Sequence, residues 1–86
     1  MPTISSFYGI LIMMYWADHQ PPHFHARYGE HKVSVEIGTL TILKGRLPRR
    51  AMALVLEWAQ LHREELMEAW DRCVHQQPPR KIRPLG

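Results

Sequence analysis

Apolar residues fill the chain from Phe7 to Ala17 almost without a gap, and only Gly9 interrupts them. Read as a strand, this run places Tyr8, Ile10, Ile12, Met14 and Trp16 on one face and Leu11, Met13, Tyr15 and Ala17 on the other. Both faces are apolar, which predicts cover on two sides: a helix on one, and room for a second protein chain on the other. Asp18-His19-Gln20-Pro21-Pro22 cannot continue a ladder, because its two prolines lack N–H donors, and it reads as a rigid, polyproline-like loop. His23 to Tyr28 resumes as a strand, Gly29-Glu30 makes a two-residue type II′ turn, and His31 to Ile37 returns. In that register Tyr28 faces His31, Arg27 faces Lys32, Ala26 faces Val33, His25 faces Ser34, Phe24 faces Val35 and His23 faces Glu36. Phe24, Ala26, Tyr28, Val33 and Val35 then share the core side. His23, His25, Arg27, Lys32, Ser34 and Glu36 share the exposed side.

Gly38-Thr39 predicts a turn and Leu40 to Lys44 a further short strand. Pro48 is a good first helical residue. From Arg49 to about Gln76 the spacing is helical, with Ala51, Leu54, Val55, Trp58, Leu61, Leu66, Ala69 and Cys73 on one stripe. That length exceeds an average helix, so the segment reads either as one long helix or as two with a break near His62. Pro78-Pro79 stops it, leaving a basic tail that is ordered only if it docks. The expected fold is α+β: an antiparallel sheet of three to four strands, then one long or two shorter C-terminal helices packed on one face. The chain, 1–86, reads as one domain with a lead-in (1–6), a β-rich part with the histidine loop (7–47), a helical part (48–77) and the tail (78–86).

Composition changes this picture little. The chain is 45% hydrophobic and 22% charged, as in ordinary globular domains, and carries a net charge of +3. Its basic residues cluster at Lys44, Arg46, Arg49 and Arg50 and again at Arg80, Lys81 and Arg83. Such clusters suit phosphates, an acidic protein or plain solvent. The single cysteine, Cys73, excludes an intrachain disulfide and a cysteine-built zinc site. It lies on the apolar stripe and reads as core rather than nucleophile. The run Phe7 to Ala17 is shorter than the ~20 residues a membrane helix needs and lacks a basic lead, so a soluble, cytoplasmic protein with no membrane partner is expected.

The candidate chemistry lies between Tyr15 and Tyr28, where His19, His23 and His25 gather with Asp18 and Arg27. Packing alone does not call for so many imidazoles in so short a span. At this point the chain resembles the small bacterial domain of unknown function 4160. The likeness rests on the opening Met-Pro-Thr-Ile-Ser-x-Phe-Tyr-Gly-Ile, the block Asp18-His19-x-Pro21-Pro22-His23-Phe24-His25-Ala26-x-Tyr28-Gly29 and the segment Gly45-x-Leu47-Pro48. Glu57-Trp58, Leu61-His62-x-x-Glu65-Leu66 and the closing Lys81-Ile82-x-Pro84-Leu85 extend it over nearly the whole chain. The resemblance implies one half of a toxin–antitoxin-like pair, with a small cognate protein as partner and a regulatory role. It carries over no catalytic residue.

From the residues themselves three chemistries stay open. The first is a divalent, zinc-like metal site in which His23 and His25 converge from one strand face and His19 or Asp18 reaches in from the loop. Glu36 would be a further ligand or would fix a histidine tautomer. The second is metal-free RNA cleavage, with His23 and His25 as acid and base, Glu36 orienting His23, and Arg27, Lys32, Arg49 or Arg50 holding phosphate. The third, which the residues favour, is a binding module. Arg27, Lys32, Arg49, Arg50 and Trp16 would meet nucleic acid, a small cognate protein or a second copy of the chain by charge and stacking. Against all three stands the plain reading that the histidines only tie the loop to backbone carbonyls.

Overall fold

The computed structural model describes residues 2–16 and 18–86. Five strands form one antiparallel sheet in sequence order: β1 (Thr3–Phe7), β2 (Ile10–Met13), β3 (His23–Tyr28), β4 (His31–Glu36) and β5 (Ile42–Gly45). Two helices follow, α1 (Arg49–Leu61) and α2 (Arg63–Val74). The α+β class and the C-terminal helices agree with the sequence reading, and the sheet has more strands than the three to four expected.

The first apolar run is where the two differ. It is not one strand from Phe7; Thr3–Phe7 is a strand of its own, folded back on β2. Gly9, at φ 80, and Tyr8, at φ 49, make the tight turn between them, so the glycine that looked like a gap in a strand is a hairpin. The strand ends at Met13, and the expected end at Ala17 lies outside the described residues. Ser5 and Ser6 hide β1 from a hydrophobic scan. A bulge between Thr3 and Ser5 brings Ile4, at 1% exposure, into the core.

The β3–β4 register is the one derived from the Gly29 turn, from His23↔Glu36 to Tyr28↔His31. Rows of side chains continue it across the sheet. Ile12, Ala26 and Val33 form a buried row with Gly45, whereas Met13, His25, Ser34 and Lys44 form a row on the other face. Tyr28, placed on the core side by alternation, is 39% exposed, because it sits at the hairpin end. β5 begins at Ile42, two residues later than expected, since Leu40 has a positive φ in the preceding turn.

The helices cover one sheet face. Trp58 is fully buried against Phe7 and Phe24, with ring centroids 5.4 and 6.0 Å away. Of the two alternatives the chain takes the pair of helices, with the break at His62, which ends α1 and starts α2. Leu61, assigned to the buried stripe, is 68% exposed because α1 stops there. The tail docks: Ile82 is buried and its N–H donates to the Ile4 carbonyl, covering the outer edge of β1. The Trp58 indole N–H donates to the Arg83 carbonyl at 2.8 Å.

Ser5 has a buried hydroxyl without a hydrogen-bond partner among the described residues. Such a group costs stability, so Ser5→Ala should be neutral or stabilising by up to about 1 kcal/mol. Urea unfolding of the two proteins checks this, and a loss above about 1 kcal/mol would reveal a partner for the hydroxyl.

Candidate functional site

The helices leave most of one face of the sheet open, and the site lies at the end of it where Trp70 of α2 reaches His23. Strand alternation puts His25, Arg27, Lys32, Ser34 and Lys44 on this face through the rows Leu11–Arg27–Lys32 and Met13–His25–Ser34–Lys44. The loop between β2 and β3 returns over the end of β3 and delivers Asp18 to the two strand imidazoles.

One carboxylate oxygen, Asp18 Oδ2, stands 3.0 Å from His23 Nε2 and 3.2 Å from His25 Nε2. The donor atoms of these three side chains all lie within 4.8 Å of one another. The outer nitrogens are held too: His23 Nδ1 donates to the Pro21 carbonyl at 2.7 Å, and His25 Nδ1 pairs with Ser34 Oγ at 3.1 Å. The rings of His23 and His25 meet edge to face at 5.0 Å. His19 belongs to the other side of the carboxylate. Its backbone N–H donates to Asp18 Oδ1 at 2.9 Å, and its ring is 85% exposed.

The expectation that both strand imidazoles lie on the exposed surface needs correction. They do share one side, but His23 is only 4% exposed. Trp70 of α2 packs on its ring at 5.3 Å, and Pro21 and Asp18 hold its two nitrogens, so helix and loop together close over it. His25 remains half-buried, against Tyr15 at 4.2 Å. Glu36 is the cross-strand neighbour of His23, as expected, yet among the described residues no hydrogen bond joins them. Asp18, not Glu36, is the carboxylate beside the His23 ring.

Two open grooves meet at this point, of about 520 and 290 Å³, and Tyr15, His25, Ser34 and Lys44 line both. The first adds Asp18, His19 and His23, and the second adds Arg27 and Lys32. Arg50 is elsewhere, in a groove with Tyr8, Tyr28 and Leu54 beside α1, and Arg49 is exposed at the start of that helix. Trp16 is exposed. Lys44 was legible only as part of a basic cluster; its place in the site comes from pairing opposite Ser34.

Burial pushes the Asp18 carboxyl up, but hydrogen bonds from His25 and the His19 amide, with the nearby imidazole charges, outweigh it and hold the group below its ordinary range. Burial pushes the His25 imidazole down, only partly offset by Asp18. Both shifts have the same sign for stability. An imidazole with a depressed folded pKa costs stability as pH falls below its unfolded value near 6.5. A carboxyl with a depressed pKa loses its contribution as pH falls below about 3.9, through the folded value. The protein in chelator should therefore lose stability in two stages on acidification, and His25→Gln should remove the upper one. Urea midpoints between about pH 7.5 and 3 would show it.

The sequence profile of the family described as a domain of unknown function, DUF4160, matches residues 9–71 of this chain. The chain belongs to the DUF4160 family. The match holds the whole Asp18–Tyr28 block and the Gly45–Pro48 segment, while the opening eight residues and the Lys81–Leu85 close fall outside it. No curated protein and no solved structure matches the chain. Among the described residues no DUF4160 helix here is long and apolar enough to cross a membrane.

Proposed function

We propose that this protein binds single-stranded nucleic acid on the open face of its sheet and acts as a regulatory component of a toxin–antitoxin-like pair in the cytoplasm. The observation that carries the binding reading is the collection of Arg27, Lys32 and Lys44, all exposed, on one sheet face around a groove with Tyr15 and His25. Cations set on a fixed sheet meet a phosphate backbone without first being ordered, and aromatic rings beside them offer stacking surfaces. The pairing rests on the family resemblance alone. The outer edge of β5 is the free edge of the sheet among the described residues and offers its partner a place to add a strand.

Metal-free cleavage by two histidines fits less well. An acid–base pair must reach the phosphate with both rings, and His23 is closed off beneath Trp70 and the loop.

Binding of a labelled single-stranded RNA should weaken by about 30- to 100-fold at low salt on combining Arg27→Ala, Lys32→Ala and Lys44→Ala. The salt dependence should become shallower by about two in logarithmic slope. Arg49→Ala with Arg50→Ala should change affinity less than about threefold, since neither lies on this face. Negligible RNA affinity in the wild type, alongside a stable complex with a small cognate protein, would replace this reading with a protein-binding one.

A further inference from the structure

The hydrogen bonds around His23 leave one position that protein atoms alone do not satisfy. Its Nδ1 faces the Pro21 carbonyl, which can only accept, so Nδ1 carries the proton. In the neutral ring Nε2 is then a bare lone pair, and it points at Asp18 Oδ2, another acceptor, from 3.0 Å. Two acceptors approach so closely only with a cation between them, either an extra proton on a ring that is 4% exposed or a metal ion.

The surroundings favour the metal. His25 brings a third donor atom to the same carboxylate oxygen at 3.2 Å. Tetrahedral zinc, with bonds of about 2.0–2.1 Å, holds its ligands about 3.3 Å apart, close to the two separations from Asp18 Oδ2, and the three donor atoms lie within 4.8 Å of one another. A ring N–H donated to a backbone carbonyl is also the usual support of a metal-binding histidine, since it fixes the tautomer and leaves the other nitrogen free to bind. The Ser34 hydroxyl, 3.1 Å from His25 Nδ1, both donates and accepts, so it can take the Nδ1 proton when a metal occupies Nε2.

We propose that Asp18, His23 and His25 form a site for one divalent cation of the zinc class. His19 lies outside it, bound to the far oxygen of Asp18. Glu36 lies outside as well. Three protein ligands leave the ion a coordination position for water or for an anionic oxygen from the groove lined by Lys44. This site does not depend on nucleic-acid binding, because the metal is read directly with no RNA present.

The test uses the full chain, purified without a histidine tag and dialysed against chelator. Titration with zinc, and with cobalt(II) followed by its visible absorption, should give one ion per chain with the intense bands of a four-coordinate site. Asp18→Asn and His25→Gln should each weaken binding by about 100-fold or more, and His19→Gln by less than about threefold. Nitrogen-15 spectra of the histidine rings read the wild type without any variant. Zinc should move the Nε2 signals of His23 and His25 while the His23 Nδ1 proton persists. Absence of stoichiometric binding, zinc shifts confined to other histidines, or equal sensitivity to His19→Gln would overturn the assignment.

Discussion

Gly45→Ala should detach the last strand from the sheet. Gly45 has φ +74, and a methyl group there would sit 2.3 Å from the Lys32 carbonyl oxygen and 3.4 Å from the Val33 Cα. Both obstacles are backbone, so no side-chain rotation relieves the clash. The same Lys32 carbonyl accepts from the Arg46 N–H at 3.0 Å, and that bond would have to break for the chains to move apart. All four residues of β5 are exposed, so pairing with β4 is what holds the strand and little packing resists its release. A left-handed alanine forced against backbone should cost about 2–4 kcal/mol. Hydrogen exchange should speed up at Arg46 and along β4 while the β1–β2 pair stays protected. RNA affinity should fall with it, because Lys44 leaves the open face. Wild-type stability and exchange in Gly45→Ala would show that the turn can relax around the methyl.

Trp58→Ala should leave the protein largely unfolded. The indole is fully buried, packs on Phe7, Phe24 and His62, and donates to the Arg83 carbonyl. Removing a core tryptophan costs about 3–5 kcal/mol, a large part of the ~5–15 kcal/mol available to a whole domain. A chain of 86 residues stands near the lower end of that range. The loss also has a long reach, since the same side chain joins sheet, helix and tail. Trp58→Phe separates the two roles. It keeps a ring in the core but abandons the Arg83 carbonyl, so it should cost about 1–3 kcal/mol and make the chain beyond Pro79 more sensitive to protease. Calorimetry and limited proteolysis report the two effects. A folded Trp58→Ala with a protected tail would mean that the core and the docking do not hang on this residue.

The contrast between β1 and the β3–β4 hairpin shows what could be read from residues alone. Gly29 and the alternation around it specify a turn and a register locally, and each cross-strand pair came out as derived. Gly9 offered the same kind of signal, but apolar residues on both sides made the turn look like a gap in one strand. The polar Ser5 and Ser6 gave β1 no alternating pattern, and the bulge that buries Ile4 has no mark in composition. Helix length left one helix or a break near His62 as alternatives, and the docking of the tail was not legible, because it depends on Trp58 and Ile4 being placed elsewhere.

The candidate site divides in the same way. That His23 and His25 share a side follows from their spacing of two on a strand, and that Asp18 and His19 lie in a proline-bounded loop follows from local chemistry. Periodicity, turn residues and helix stops are properties of neighbours in the chain, so the sequence by itself determined the strand–turn–strand unit, the helical segment and the residues from which a site would be built. Only the tertiary structure decided that Trp70 and the loop bury His23, that Asp18 rather than Glu36 or His19 joins the imidazoles, and that Lys44 rather than Arg50 joins the open face. Those outcomes depend on how segments distant in sequence close on one another, and the burial and long-range pairing that settle them leave no periodic trace in the residues involved.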